Sequence, residues 1–167
     1  MTATRAELEE AFAAYAAAVE QSWRSGDWEP FVQCFTPDAS YVEHAYGRFQ
    51  GRDAIRRWVT RTMTSFPGSE MVGFPAAWTV YDEERGWVVC EIRNLMRDPG
   101  DGTVLEASNL TILRYAGGGL WAEEEDVYNP ATFLDLATRY VRRCAELGTL
   151  TDAGRAFADK LRIDLEG

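Results

Sequence analysis

WVVCEIRNLMRDPGDGTVLEASNLTILRYAGGGLWAEEEDVY, residues 87 to 128, is dense in β-branched and aromatic residues and is cut twice by turn signals, DPGDG at 98–102 and AGGG at 116–119. A third signal, DEERG at 82–86, separates it from another β-type run, FPAAWTVY. Short runs joined by glycine-rich turns predict an antiparallel meander of about four strands. Side chains alternate between the faces of a strand, so the pattern also sorts them. The face with Val88, Cys90, Ile92, Asn94 and Met96 reads as buried, as does that with Leu105, Ala107, Asn109, Thr111 and Leu113. Asn94 and Asn109 therefore look inward, either to bond backbone at a bulge or to meet a ligand. In the last run Glu123 and Glu125 share one face and Glu124 and Asp126 the other. Three readings fit: a wet edge strand, a salt-bridged subunit interface, or a carboxylate directed into a pocket.

Upstream, Leu8, Phe12, Tyr15, Val19 and Trp23 recur at helical spacing, and Ser25-Gly26-Asp27 stops that helix. Asp27 suits the cap of a short second helix, TPDA reads as a turn, and SYVEHAYG as a strand. A third helix follows Gly51 and ends at Phe66-Pro67-Gly68; Arg56, Arg57 and Arg61 on it read as a solvated face. Asn129-Pro130 opens a fourth helix, and Thr151 caps a fifth. The order predicts one α+β domain over 1–167, with a core at about 5–130 and a helical extension over 130–167.

A net charge of −10, from 27 acidic and 17 basic residues, argues against nucleic acid as a partner. No apolar run approaches a membrane span, and the acidic start MTATRAELEE is unlike a signal peptide, so a cytoplasmic protein is expected. Three scattered cysteines and one histidine give no metal-ligand spacing, so no metal and no cofactor are expected.

That one histidine, His44, lies in a strand with Glu43 beside it. An imidazole titrates near neutrality and serves as a general base when a carboxylate fixes its tautomer. The segment CFTPDASYVEHAYGRFQGRDAIRRWV, with the final EDVYNP, resembles the nuclear transport factor two-like superfamily, in particular its SnoaL-like (polyketide-cyclase-like) and ketosteroid-isomerase-like members. The resemblance covers roughly 5–130 and implies a cone: a curved antiparallel sheet of about six strands wrapped by helices, with a pocket in its mouth. It places His44 where ketosteroid-isomerase-like members carry a catalytic aspartate, Thr111 at their oxyanion-binding acid, and Val19, one turn from Tyr15, near their helix-one tyrosine. It also implies that the first and last strands run side by side, which suggests a His44–Asp126 dyad with Glu124 as substitute.

The resulting expectation is a small cofactor-free lyase, cyclase or isomerase that moves a proton next to a carbonyl of an apolar metabolite. Tyr15, Asn94, Asn109, Glu124 and Tyr128 would bind the substrate. A non-catalytic binder of a small hydrophobic molecule, or a dimeric scaffold, is the alternative. The resemblance further implies a homodimer joined through the outer sheet faces, with Arg93 and Arg114 meeting acids of the last strand.

Overall fold

The computed structural model describes residues 3–165. Helix α1, Arg5–Ser25, starts at Thr4, whose hydroxyl accepts from the Glu7 amide while the Glu7 carboxylate accepts from the Thr4 amide. It ends where Gly26 takes φ +76°, a left-handed turn that costs glycine little. Leu8, Phe12 and Tyr15 are buried along one stripe. A single turn, α2 (Glu29–Val32), follows; Asp27 accepts from the Glu29 amide at 2.9 Å.

Seven strands form one sheet: β1 Phe35–Glu43, β2 Gly47–Gln50, β3 Met71–Gly73, β4 Ala76–Asp82, β5 Trp87–Met96, β6 Glu106–Gly117 and β7 Leu120–Val127. The order is β2-β1-β7-β6-β5-β3, with β4 also paired to β5. The meander is antiparallel, as its turns predict, but β1 runs parallel to β7. Nothing in a turn constrains that junction, because most of the domain separates the two strands in the chain. The TPDA segment is not a free turn. It lies within β1, whose register to β7 shifts between Phe35 and Ser40, where Pro37 has no N–H to donate. GRFQ, read only as the approach to a helix, forms β2 and hairpins onto β1.

Helix α3 (Arg52–Met63) and α1 close the inner face of the sheet over a core that includes Phe31, Phe35, Tyr41, Ile55, Trp58, Val88 and Trp121. Helices α4 (Pro130–Glu146) and α5 (Asp152–Leu161) build a second core at the other end, around Met96, Leu105, Leu136, Tyr140, Val141 and Cys144. Asn129 and Thr151 cap them through the Ala131 and Gly154 amides.

One buried carboxylate ties this extension to the sheet. Glu70, in the 3-10 turn Gly68–Glu70, accepts from Arg97 at 2.9 Å, Tyr140 at 3.0 Å and Thr151 at 2.7 Å. Burial alone would raise its pKa, but these donors outweigh burial and hold it below the ordinary value. Gly68 must lack a side chain here: a Cβ would lie 2.4 Å from the Thr62 carbonyl oxygen.

Glu70→Ala should cost about 2 kcal/mol in urea unfolding, because it leaves the buried Tyr140 hydroxyl and the half-buried Thr151 hydroxyl and Arg97 guanidinium without their acceptor. Since the folded pKa is depressed, the contribution of Glu70 is present above the ordinary carboxylate pKa and fades as pH falls through the folded value. The stability gap between wild type and Glu70→Ala should therefore narrow in acid.

Candidate active site

Between α1, α3, the inner sheet face and the start of α4 lies a cavity of about 440 Å³, within the range of small-molecule sites. Its walls are mainly aromatic and aliphatic, with Phe12, Trp28, Phe31, Trp58, Phe74 and Phe133 among them. The carboxylates and amides come from the strands, and strand parity explains which ones enter.

On β7 the even residues Glu124 and Asp126 turn inward. Parallel register sets Tyr41 of β1 beside Glu124 and Glu43 beside Asp126. Asp126 accepts from Asn109 Nδ2 at 2.9 Å, from Thr111 Oγ1 at 2.6 Å and from the Tyr41 hydroxyl. Asn109 in turn accepts from Asn94 Nδ2 at 2.8 Å, so a polar ladder crosses β5, β6, β7 and β1. Tyr15 of α1 donates to Glu124 Oε1 at 2.8 Å, while Glu124 Oε2 is buried with no hydrogen-bond partner among the described residues. Glu43 accepts from the Tyr128 hydroxyl and from the Ala45 and Tyr46 amides, at 2.8 and 2.6 Å.

These surroundings separate the two β7 carboxyls. Burial raises the pKa of Asp126, the Thr111 and Tyr41 hydroxyls pull it back, and it comes to rest at about 6. Burial also raises Glu124, the Asp126 charge raises it further, and the Tyr15 and Tyr41 hydroxyls do not compensate, so it stands well above its ordinary value. The two carboxyls are therefore both displaced upward, and the charge of either one disfavours ionisation of the other. Unequal displacement lets neighbouring acids take opposite roles in proton transfer.

Tyr15, Asn94, Asn109, Glu124, Asp126 and Tyr128 thus all line one cavity. His44 does not join them. It follows the last residue of β1, and its Nε2 lies 2.9 Å from Glu125 Oε1 on the opposite side of the sheet. The expected His44–Asp126 contact is therefore replaced by His44–Glu125. The reason is strand parity: Tyr41 and Glu43 are buried and face the cavity, so Val42 and then His44 face away. The ring is exposed, with 44% of its side-chain surface accessible.

The outer face is a charged belt. Arg114 bridges Glu123 and Glu125, Arg48 reaches Glu123 at 3.0 Å, and Arg93 pairs with Glu106. Arg93 and Arg114 are thus paired within their own chain, rather than kept for acids of a second one. Tyr41 and Glu43 are among the cavity residues that escaped the sequence reading, because their alternation with Val42 and His44 carries little apolar contrast.

The sequence matches the model of the SnoaL-like domain over residues 1–124. No curated protein sequence matches the chain. Among solved structures, TerC, co-crystallised with polyporic acid, is 17% identical, covering 78% of this chain and 97% of its own, with a TM-score of 0.60. A ketosteroid-isomerase-like protein from Catenulispora acidiphila, solved with trimethylamine, is 23% identical over 76% of this chain and 91% of its own, with a TM-score of 0.60. Bal32a, from a soil-derived mobile gene cassette, is 17% identical over 78% and 98%, with a TM-score of 0.59. Identities this low speak to fold alone. The family model, in contrast, spans most of the sequence, and the chain belongs to the SnoaL-like domain family.

Proposed function

We propose that the chain is a cofactor-free acid–base catalyst, a lyase, cyclase or isomerase acting next to a carbonyl of an apolar metabolite, with Asp126 as base and Glu124 as acid. The observation that carries this is the pair on β7: two carboxyls two residues apart on the wall of an apolar cavity, Asp126 raised to about 6 and Glu124 raised well above its ordinary value. A base whose pKa lies near ambient pH is mostly ionised yet still basic enough to abstract a proton. In this reading a protonated Glu124 would donate to a developing enolate oxygen once its carboxyl turns toward the cavity, the type of stabilisation that rises in the transition state; its Oε2 is buried and has no hydrogen-bond partner among the described residues. Tyr15 fixes the orientation of that acid, and the Asn94–Asn109 ladder fixes the base. The histidine expected as base gives way to Asp126 in this reading, because its ring faces away from the cavity.

A second reading keeps the cavity but removes turnover: a binder of a small hydrophobic molecule. It is favoured by the three donors on Asp126, which would hold the carboxylate equally well as a passive anchor.

Exchange of the α-protons of 2-tetralone in D2O, followed by mass spectrometry, tests proton abstraction without knowing the natural substrate. The protein should accelerate exchange, and Asp126→Asn should slow it at least about 100-fold. His44→Ala should leave it within about twofold, a result that a histidine base forbids. The rate should rise as pH increases through about 6, where Asp126 ionises, and fall again where Glu124 loses its proton. Binding of 2-tetralone with no exchange by the wild type would select the second reading.

Tyr41→Phe removes a donor that lowers the Asp126 pKa, so the rising limb should move to higher pH. A limb that stays in place would remove Asp126 as its origin.

We also propose a homodimer through the outer sheet face, where Trp78, Val80 and Leu110 are exposed together beside the charged belt. Light scattering should give twice the chain mass, and Val80→Asp should return the monomer mass.

A further inference from the structure

We propose that the cavity mouth carries an oxyanion-binding rim built on Arg61, so that the ligand is an apolar body bearing one anionic group. The inference rests on the reading of the cavity as a ligand site. Arg61 sits in the last turn of α3 and lines the cavity together with Thr62, Met63 and Ser65. Its guanidinium has no hydrogen bond or ion pair with any described residue. The neighbouring arginines are occupied: Arg56 by Glu29 and Asp53, Arg52 by the Phe35 carbonyl and Gln33, Arg97 by Glu70. Arg57, one turn back and exposed, does not line the cavity. The hydroxyls of Thr62 and Ser65 likewise have no partner among the described residues, which leaves a cation and two hydroxyl donors on one stretch of the rim.

A helix C-terminus favours a cation in its last turn, but does not require that cation to lie against a cavity. In a chain of net charge −10, an uncommitted guanidinium at a pocket mouth is a local reversal of sign. The interior enforces the same orientation. Glu43 and Asp126 line the inner wall, so an anionic group is repelled from the depth and its apolar body enters first. Guanidinium is suited to carboxylate, sulfonate and phosphate oxygens because it presents parallel donors to them.

Two fluorescent probes isolate the charge: 8-anilinonaphthalene-1-sulfonate and N-phenyl-1-naphthylamine, the second lacking the sulfonate. Both should bind the wild type one to one and compete with each other. Arg61→Gln should weaken the sulfonate about five- to tenfold while the neutral dye changes less than about twofold. Arg61→Lys should retain part of the preference. Arg155→Gln removes an equal charge from α5, outside the cavity lining, and should alter neither dye. Equal weakening of both dyes by Arg61→Gln would make Arg61 only a wall, and no weakening, or equal weakening by Arg155→Gln, would also overturn the rim. If the wild type binds neither dye, the ligand-site reading itself fails and the rim with it; a neutral dye that binds normally beside an Arg61-independent sulfonate defeats the rim alone.

Discussion

Glu124 and Asp126 occupy one face of one strand, and the rest of the cavity is arranged around the cost of that placement. Two residues along a strand span roughly 7 Å. At that separation two negative charges in a protein environment repel by about 2 kcal/mol, even with generous screening. Desolvation adds to this, because the same apolar walls that make the cavity receptive to a ligand strip both groups of water. Double ionisation is therefore disfavoured, and both carboxyls are raised above their ordinary values. How far each is raised depends on the donors that surround it. Asp126 has three, contributed by β1 and β6, whereas Glu124 has Tyr15 and an Oε2 with no hydrogen-bond partner among the described residues.

The parallel junction of β1 and β7 makes that allocation possible. It brings Tyr41 into reach of both β7 carboxyls, and its hydroxyl goes to Asp126. Its neighbour Glu43, in register with Asp126, is satisfied by two backbone amides and Tyr128, so a third acid can sit in the same wall. An antiparallel β1 would offer its side chains in reversed order along β7 and would separate these partners. The topology thus sets the proton inventory of the cavity, even though neither strand alone encodes it.

How far this could be read in advance varied with the local signal. In β5 and β6 the apolar alternation is long and bounded by glycine turns, so the inward positions of Asn94 and Asn109 follow from periodicity; in β7 alternation only pairs Glu124 with Asp126 and leaves open which face is inward. Strand β1 is different. TPDA carries strong turn chemistry, the register is irregular there, and the inward pair Tyr41 and Glu43 alternates with Val42 and His44 without a clear apolar contrast. With the parity of β1 undetermined, a lone histidine beside a carboxylate drew attention away from the tyrosine that holds Asp126. Arg61 was obscured for another reason: helical periodicity shows that it is exposed, and exposure does not distinguish open solvent from a cavity rim.

The helices after β7 bear on how general this site is within its family. The family match ends at residue 124, yet Asp126, Tyr128 and Phe133 all contribute to the cavity. The proposed base, a cavity tyrosine and an aromatic wall thus lie in the part of the chain that the shared pattern does not describe. Phe133, and Tyr128 packed edge-on against it, rest on the second core, which Glu70 ties to the end of β5 through Arg97, Tyr140 and Thr151. Packing far from the carboxyls therefore sets the shape of the mouth, while the inner face of the sheet sets the chemistry. Residues that select a ligand can then change in the C-terminal helices and in the rim of α3 without disturbing the donors around Glu124 and Asp126.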